Sequence, residues 1–391
     1  MAQANGRAYI SPFSEAGLVD FLYVYNGDGT PARKAGGAAP TDADGAMAAS
    51  NSSTSGNVEA GVHIFGVVYE TNSGFDTQIG PDTLPTITAG GNKSVDLSNI
   101  PVSPNPAVVA RRIVASKAIP PADYTGNTRG YELFFVPDGE INDNTSTTLT
   151  VNFFDSELLD SAENLLDILP EIGNGNNVTF YHNRLVVSGS GAINQARVSN
   201  PGEYEAFSAL DGFLLMQNDG LGWLCSQEYR DILYGFKINE TTAYTDNGDV
   251  PTAWPATIID EGLGAGVHGV VFIDTRQGMS SEFLLLENYS GIFMFNGTFQ
   301  RPELSYKIKD LWLSFSQDEV ARKIQFYDDV LHQILYLNIP SELMILIGDY
   351  ANSMTPDKIR WAKWIYTIEP NTITLFDKDN KLLIGSTGAP T

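Results

Sequence analysis

Asn177-Val178-Thr179-Phe180-Tyr181-His182-Asn183-Arg184-Leu185-Val186-Val187-Ser188-Gly189 is the stretch whose reading decides the fold. Successive side chains on a strand point to opposite faces, so Val178-Thr179-Phe180 and Leu185-Val186-Val187 read as two strands. His182-Asn183-Arg184 between them is then a hairpin tip. Strand-length segments of this kind recur as far as Leu383-Ile384, separated by Gly, Asn and Asp turns. None of this half has the long 3.6-residue periodicity of a large helix. The chain reads as an all-β scaffold whose job is shape more than chemistry.

Working outward, Leu233–Ile238 and Thr241–Tyr244 pair around Asn239-Glu240. Gly269–Ile273, Phe283–Leu286 and Ile292–Phe295 make a further unit, and Lys323–Tyr327, Gln333–Ile339 and Met344–Ile347 another. Thr372–Phe376 and Lys381–Gly385 form a last hairpin. Successive hairpins at intervals of about 40 to 45 residues are what the blades of a propeller require. The expectation for 177–385 is therefore a multi-bladed β-propeller, with a second sandwich or a jelly roll as the competing architecture, and 386–391 as a C-terminal tail.

The first 57 residues read as N-terminal strands, Arg7–Ile10 and Phe21–Tyr25, followed by a flexible arm. From Asp28 to Asn57 the sequence is mostly Gly, Ala, Ser, Thr and Asp, too poor in apolar area to hold a core of its own. Residues 58–154 carry strands Val62–Tyr69, Lys93–Leu97, Val108–Ala115, Tyr131–Val136 and Thr147–Val151, the spacing of a compact β-sandwich inserted before the propeller. In the linker 155–176, leucines 158, 159, 165, 166 and 169 with Ala162 fall on one helical face and Pro170 would end the pattern, so a short helix is expected there, with an extended linker packed on the sandwich as the alternative.

Tyr181–Gly189 followed by Ala196-Arg197-Val198-Ser199-Asn200-Pro201-Gly202-Glu203-Tyr204-Glu205-Ala206-Phe207 resembles the tail hub or nozzle proteins of tailed bacteriophages. In that family an N-R-L hairpin tip precedes an S-N-P-G segment in a β-propeller. Tyr69–Asn72 with Ile79-Gly80-Pro81, Val109–Ile113 and Tyr131-Glu132-Leu133 looks like the fibronectin-like insertion that some members carry. The resemblance covers about residues 60–310 and rests on short motifs. It implies a non-enzymatic structural subunit of a homo-oligomeric ring, six copies in the usual nozzle, around the DNA exit channel. Adaptor and other tail proteins would be its neighbours, and the virion tail its location. A carbohydrate-binding or glycan-cleaving tail propeller is the alternative.

Bulk composition agrees with a folded, turn-rich chain: 391 residues, 37 Gly, 20 Pro and 11% aromatic residues supply both turns and core. A formal charge of −24 argues against a tight nonspecific grip on nucleic acid, because such grip comes from neutralising phosphates. Passing DNA would make only transient contact. Arg111-Arg112 and Lys358–Lys363 are the only candidate basic patches, and ordinary surface arginine is the simpler reading of both. The single cysteine, Cys225, cannot form an internal disulfide. Met1–Asn5 lacks a leader pattern and Leu343–Ile347 is far below membrane-spanning length, so assembly in a host's reducing cytoplasm is expected.

No catalytic, cofactor or metal site is expected. His63, His182, His268 and His332 lie on separate strands or turns without metal-ligand spacing. Cys225 beside Trp223 and Leu224 reads as a small buried apolar residue, and neither Ser199 nor Ser226 sits in a nucleophile elbow. Asp260-Glu261, Glu282, Glu287 and Glu303 are the carboxylates that a mouth of strand ends could gather for glycoside cleavage. Asp138–Asn142 opens like a calcium loop but has Asp143 where glycine is needed and Leu149 where the bidentate glutamate belongs. The apolar hairpins Phe293-Met294-Phe295 and Trp361-Ala362-Lys363-Trp364 are candidates for contacts between subunits, or simply core.

Overall fold

In the computed structural model, the residues described are 2–11, 22–27, 29, 32–36, 39–72, 74–158, 172–173, 175–273, 283–300, 302–329, 331–351, 355–367, 372–376 and 381–385. Of the linker helix expected at 156–169 only Ser156–Leu158 are described, Asp155–Glu157 as a 3-10 turn; the rest of it and the C-terminal tail lie outside the described residues. The chain divides into two compact units, one of Phe21–Ile172 with Ser199–Gly212, the other of Met1–Asp20, Gly173–Val198 and Phe213–Thr391.

At the start of the chain, β1 (Ala2–Ala4) and β2 (Arg7–Ile10) form a hairpin in the second of these units, and β3 (Tyr23–Tyr25) pairs with β4 (Arg33–Lys34) in the first. The rest of the first unit is built on β5 (Ala48–Thr71), a strand of 24 residues. Its first part pairs with β6 (Thr86–Ser98), and its last part, from Phe65, pairs with β7 (Val108–Ala115). Outer strands β8 (Phe134–Ile141) and β9 (Thr148–Val151) complete the order β8-β7-β5-β6-β9. Because one strand serves both ladders, side chains from each pack into one core: Val95, Leu97 and Val151 meet Phe65, Ile113, Val136 and Ile141. The expected flexible arm is different here. Ala48–Asn57 lies inside β5, with Met47 and Val58 in that core, because sheet pairing with β6 orders a stretch whose side chains alone could not.

The second unit repeats one device. Strands β10 (Asn177–Tyr181), β11 (Arg184–Ser188), β12 (Gln195–Val198) and β13 (Phe213–Leu215) make a four-stranded antiparallel sheet of sequence neighbours. So do β14 (Cys225–Tyr229), β15 (Ile232–Phe236), β16 (Thr241–Tyr244) and β17 (Ala256–Asp260). A third sheet comprises β18 (Val270–Ile273), β19 (Phe283–Asn288), β20 (Gly291–Phe295) and β21 (Phe299–Gln300). The fourth is β22 (Gln325–Asp329), β23 (Ile334–Ile339), β24 (Met344–Asp349) and β25 (Arg360–Ile365), followed by the hairpin of β26 (Thr372–Phe376) and β27 (Lys381–Gly385). Turn chemistry fixes the first hairpins: His182 and Asn183 have φ of 44° and 60°, Arg230 and Asp231 51° and 66°. Positive φ at both central positions is the type I′ geometry whose twist matches that of the strands.

Neighbouring sheets bury their faces against each other in chain order. Tyr181, Val186, Val198 and Leu214 of the first meet Trp223, Leu233 and Tyr244 of the second. Tyr229, Tyr234 and Phe236 meet Leu284, Leu286 and Phe295. Leu285 and Ile292 meet Phe326, Leu335, Leu337 and Leu346. These findings correct the expected multi-bladed β-propeller over 177–385. The architecture is all-β and multi-sheet, but the sheets are open, each with two edges, and are not closed into a propeller or barrel. Local alternation specifies hairpins; it carries no information about closure between the first sheet and the last. Alternation also hides an interruption, since 3-10, α and π turns at Tyr306–Ile308, Lys309–Trp312 and Glu319–Lys323 stand between the third and fourth sheets. No helix among the described residues is long and apolar enough to cross a membrane.

Candidate functional sites

In the four sheets from β10 to β25 a buried polar residue stands at or near the end of the second strand: Ser188, Lys237 just past β15, Glu287 and Asn338 are all 0% exposed. Short strands run out of apolar partners at the same place in each sheet, where the chain turns. Ser188 Oγ lies 2.6 Å from Ser226 Oγ, which also accepts from Trp223 Nε1 at 3.0 Å. Lys237 Nζ donates to the Gln217 carbonyl, to Asp219 Oδ1 at 2.8 Å and to Glu240 Oε2 at 3.3 Å, while Glu240 Oε1 accepts from Thr242 Oγ1 at 3.0 Å. Desolvation works to raise the Asp219 carboxyl, but the hydrogen bonds from Lys237 and from the Leu221 amide outweigh it and hold it below its ordinary value.

Glu287 is the opposite case. Neither carboxyl oxygen has a hydrogen-bond partner, and burial drives its pKa well above the ordinary value. Its neighbours leave it no room to turn: a Cβ at Gly269 would come within 2.4 Å of Glu287 Oε2, and one at Gly266 within 3.2 Å. Cys225 Sγ donates to the Gly266 carbonyl at 3.2 Å, and burial pushes the thiol up. A protonated, inaccessible thiol is no nucleophile.

The other residues singled out in the sequence are dispersed. His63 places Nδ1 3.0 Å from the Ser116 carbonyl and Nε2 3.0 Å from that of Glu59. His182 stacks on Tyr181 and bonds Asp231 at 2.5 Å, tying the first hairpin tip to the second. His268 is lowered by burial, and His332 Nδ1 is 2.7 Å from Asp329 Oδ2. Ser199 Oγ donates to the carbonyl of Asn200. Asp260 Oδ1 caps a turn by accepting from the Gly262 and Leu263 amides, and Glu303 pairs with Lys309. Glu282 lies outside the described residues. Of the acids expected at a common mouth, Asp260 and Glu303 therefore have separate local duties. Among the described residues no group of three or more His, Cys, Asp or Glu could hold a metal ion. Asp143, in the calcium-like stretch, instead accepts from Ser146 and Thr145 and pairs with the buried Arg111; those bonds, Ser146 first, hold its carboxyl far below the usual range.

Sequence reasoning missed three polar clusters. Lys237 with Glu240 was signalled only by opposite charges three residues apart beside an apolar strand. Arg33 forms a two-pronged pair with the buried Glu205, at 2.9 and 2.8 Å, inside the first unit; 172 residues of separation hide it from any local reading. Asp328 is pushed up to about 6 by burial, against the hydrogen bond from Tyr350 Oη at 2.8 Å and reinforced by Asp329. The first unit also holds a polar cavity of about 450 Å³, where Arg112 stacks over Phe135, 3.7 Å from the ring centre, and bonds Asp76.

The remaining candidate is a sheet edge. In β25, every residue except Trp361 is exposed, including Trp364 at 46% and Ile365 at 70%. Trp361 lies over Gly348, where a Cβ would come within 3.0 Å of the indole, and the Trp364 ring is 6.1 Å from that of Tyr336, so each face of β25 rests partly on its sheet while β25 itself is the last strand in it.

No family model matches the chain, and no curated protein does. Among solved structures, it is similar to a protein from Lactobacillus plantarum, at 11% identity and a TM-score of 0.36, over 82% of this chain and 75% of that one. BamB from Moraxella catarrhalis aligns over 97% of this chain and 93% of its own, at 9% identity and a TM-score of 0.32. Hydrazine synthase from Kuenenia stuttgartiensis gives 10% identity and a TM-score of 0.29 over 76% and 93%. Similarities this slight carry no argument about what the chain does.

Proposed function

We propose that this chain is a structural subunit that acts by contact with copies of itself and with other proteins, forming an oligomeric ring around the DNA exit channel in the tail hub or nozzle of a bacteriophage. The observation that carries the assembly reading is β25, an edge strand open on its outer side with two large apolar side chains in solvent. Monomeric proteins protect such edges, because unpaired strand groups invite another strand. The tail assignment comes from the resemblance of Tyr181–Gly189 and Ala196–Phe207. The charge of −24 suits it, because an acidic wall lets duplex DNA slide without holding its phosphates. The test is imaging of assembled particles carrying a label on this chain's C-terminus. A signal at the head-tail junction or below is expected; labelled particles with no signal there would remove the tail assignment.

A further inference from the structure

We propose that β25 of one copy pairs antiparallel with β17 of a second copy, with Arg360 at the Asp260 end. This rests on the oligomeric reading above and specifies its contact. Both are the last strands of their sheets, so each presents a row of backbone N–H and C=O groups on its outer side. They match in length, six residues and five. The last strands of the other four-stranded sheets are β4 with two residues, β13 with three and β21 with two, too short to template a partner. Ala256, Thr257 and Ile258 are exposed, as are Arg360 and Ala362–Ile365.

Charge chooses the partner and the direction. Arg360 and Lys363, with Lys358 just ahead of the strand, make β25 basic on a chain of net charge −24, and neither Arg360 nor Lys363 forms an ion pair among the described residues. Two β25 strands laid antiparallel would bring only like charges near one another, which gives no electrostatic attraction. β17 instead ends at Asp260, with Glu261 next in the chain. Antiparallel pairing along the regular part of β17 sets Ala362 opposite Ile258 and Trp364 opposite Ala256, and past the bulge at Ile259 it brings Arg360 to the Asp260 end, with Lys358 beside Glu261. A parallel arrangement would leave the acids against the Trp364–Ile365 end. Because two different edges meet, the contact is head to tail, and it closes into a ring or runs on as a filament according to the rotation between copies.

Disulfide trapping tests this. Residues opposite each other in antiparallel strands have Cα atoms about 4.5 to 5.5 Å apart, within reach of a disulfide. Cys225 is 1% exposed, so background is low. Ala362→Cys and Ile258→Cys proteins, made distinguishable by mass, are mixed under mild oxidation. A covalent heterodimer is expected, each variant alone staying monomeric, and the double variant should give a ladder. Arg360→Asp should lower the yield about tenfold, and Glu261→Arg in the facing chain, which leaves the Asp260 turn cap intact, should restore part of it. Trp364→Cys with Ala256→Cys is a second pair in the same register, in case the first perturbs folding. No heterodimer from either pair of folded variants, or self-linkage of Ala362→Cys alone, would overturn the pairing. A label in the tail without trapping removes only this contact; trapping without a tail label removes only the tail assignment.

Discussion

Lys237 and Glu287 occupy nearly the same place in adjacent sheets, just where the second strand ends, and both are 0% exposed. One is a charge with three oxygen acceptors around it; the other is a carboxyl with none. The interior treats them differently for the same reason. A charge taken out of water must be matched by partners or given up, and Lys237 has been matched while Glu287 is driven toward its neutral form. Position in the fold thus makes the place polar; the partners decide the charge.

The sharpest way to break this comparison is to empty the matched side. Lys237→Ala leaves Asp219 and Glu240 facing each other without their cation and removes a fully buried side chain, so the expected loss is about 3 to 5 kcal/mol. Urea unfolding of the variant against the parent checks it. An effect below about 1 kcal/mol would show that water replaces the ammonium freely.

Next in size are the glycines that let the chain approach each site. At Gly264 a Cβ would fall 1.8 Å from the Lys237 carbonyl oxygen, and at Gly269 it would fall 2.4 Å from Glu287 Oε2. Backbone cannot yield as a side chain can, and the nearest backbone atom to a Gly269 Cβ is 2.9 Å away against 1.8 Å at Gly264, so Gly264→Ala is expected to cost about 3 kcal/mol and Gly269→Ala less. Equal unfolding midpoints for the two would mean that Glu287 is held as rigidly as the main chain.

The strands around both sites were legible, because alternation and turn residues are local. Asn183 in its hairpin, Thr241–Tyr244 after Asn239-Glu240, and Met344–Ile347 all fall where the pattern puts them. Long-range relations were not. Nothing in Ser50–Gly56 reveals the partner β6 that makes it a strand, and nothing in any single hairpin tells whether the stack of sheets closes. Glu287 was noticed as a carboxylate and misread as a mouth residue, since the apolar run Leu284-Leu285-Leu286 before it does not say which way the next side chain points. Lys237 was read only as one position of a strand; its acceptor Asp219 lies 18 residues away.

Acid dependence sharpens the contrast from the unmatched side. The folded value of Glu287 lies above its ordinary 4.5, so the folded protein holds a proton that the unfolded chain releases as pH rises. The cost of keeping Glu287 neutral is absent below the ordinary value and grows as pH climbs toward the folded one, so stability is lost in that direction. Glu287→Gln removes the titration. The variant should gain on the parent by about 1 to 3 kcal/mol between pH 5 and 7, with the difference growing with pH. Unfolding midpoints at matched pH values give the result; a constant difference across that range would mean that the carboxyl ionises in place.

The smallest effect belongs to the uncharged version of the same position. Ser188 closes β11 with only a hydroxyl, 2.6 Å from Ser226 Oγ, and Ser226 keeps the Trp223 indole as a second partner when Ser188 is cut back. One neutral hydrogen bond is lost and no charge is stranded, so Ser188→Ala should cost about 1 kcal/mol, with no change in the pH dependence of stability. Combining it with Ser226→Ala is the informative step. If the seam works by matching partners, the double variant loses less than the two single losses together, except for the Trp223 Nε1 bond that only Ser226 supplies. Strict additivity would instead mean that the two hydroxyls do not share a hydrogen bond in solution, and the matched end of the comparison would then rest on Lys237 alone.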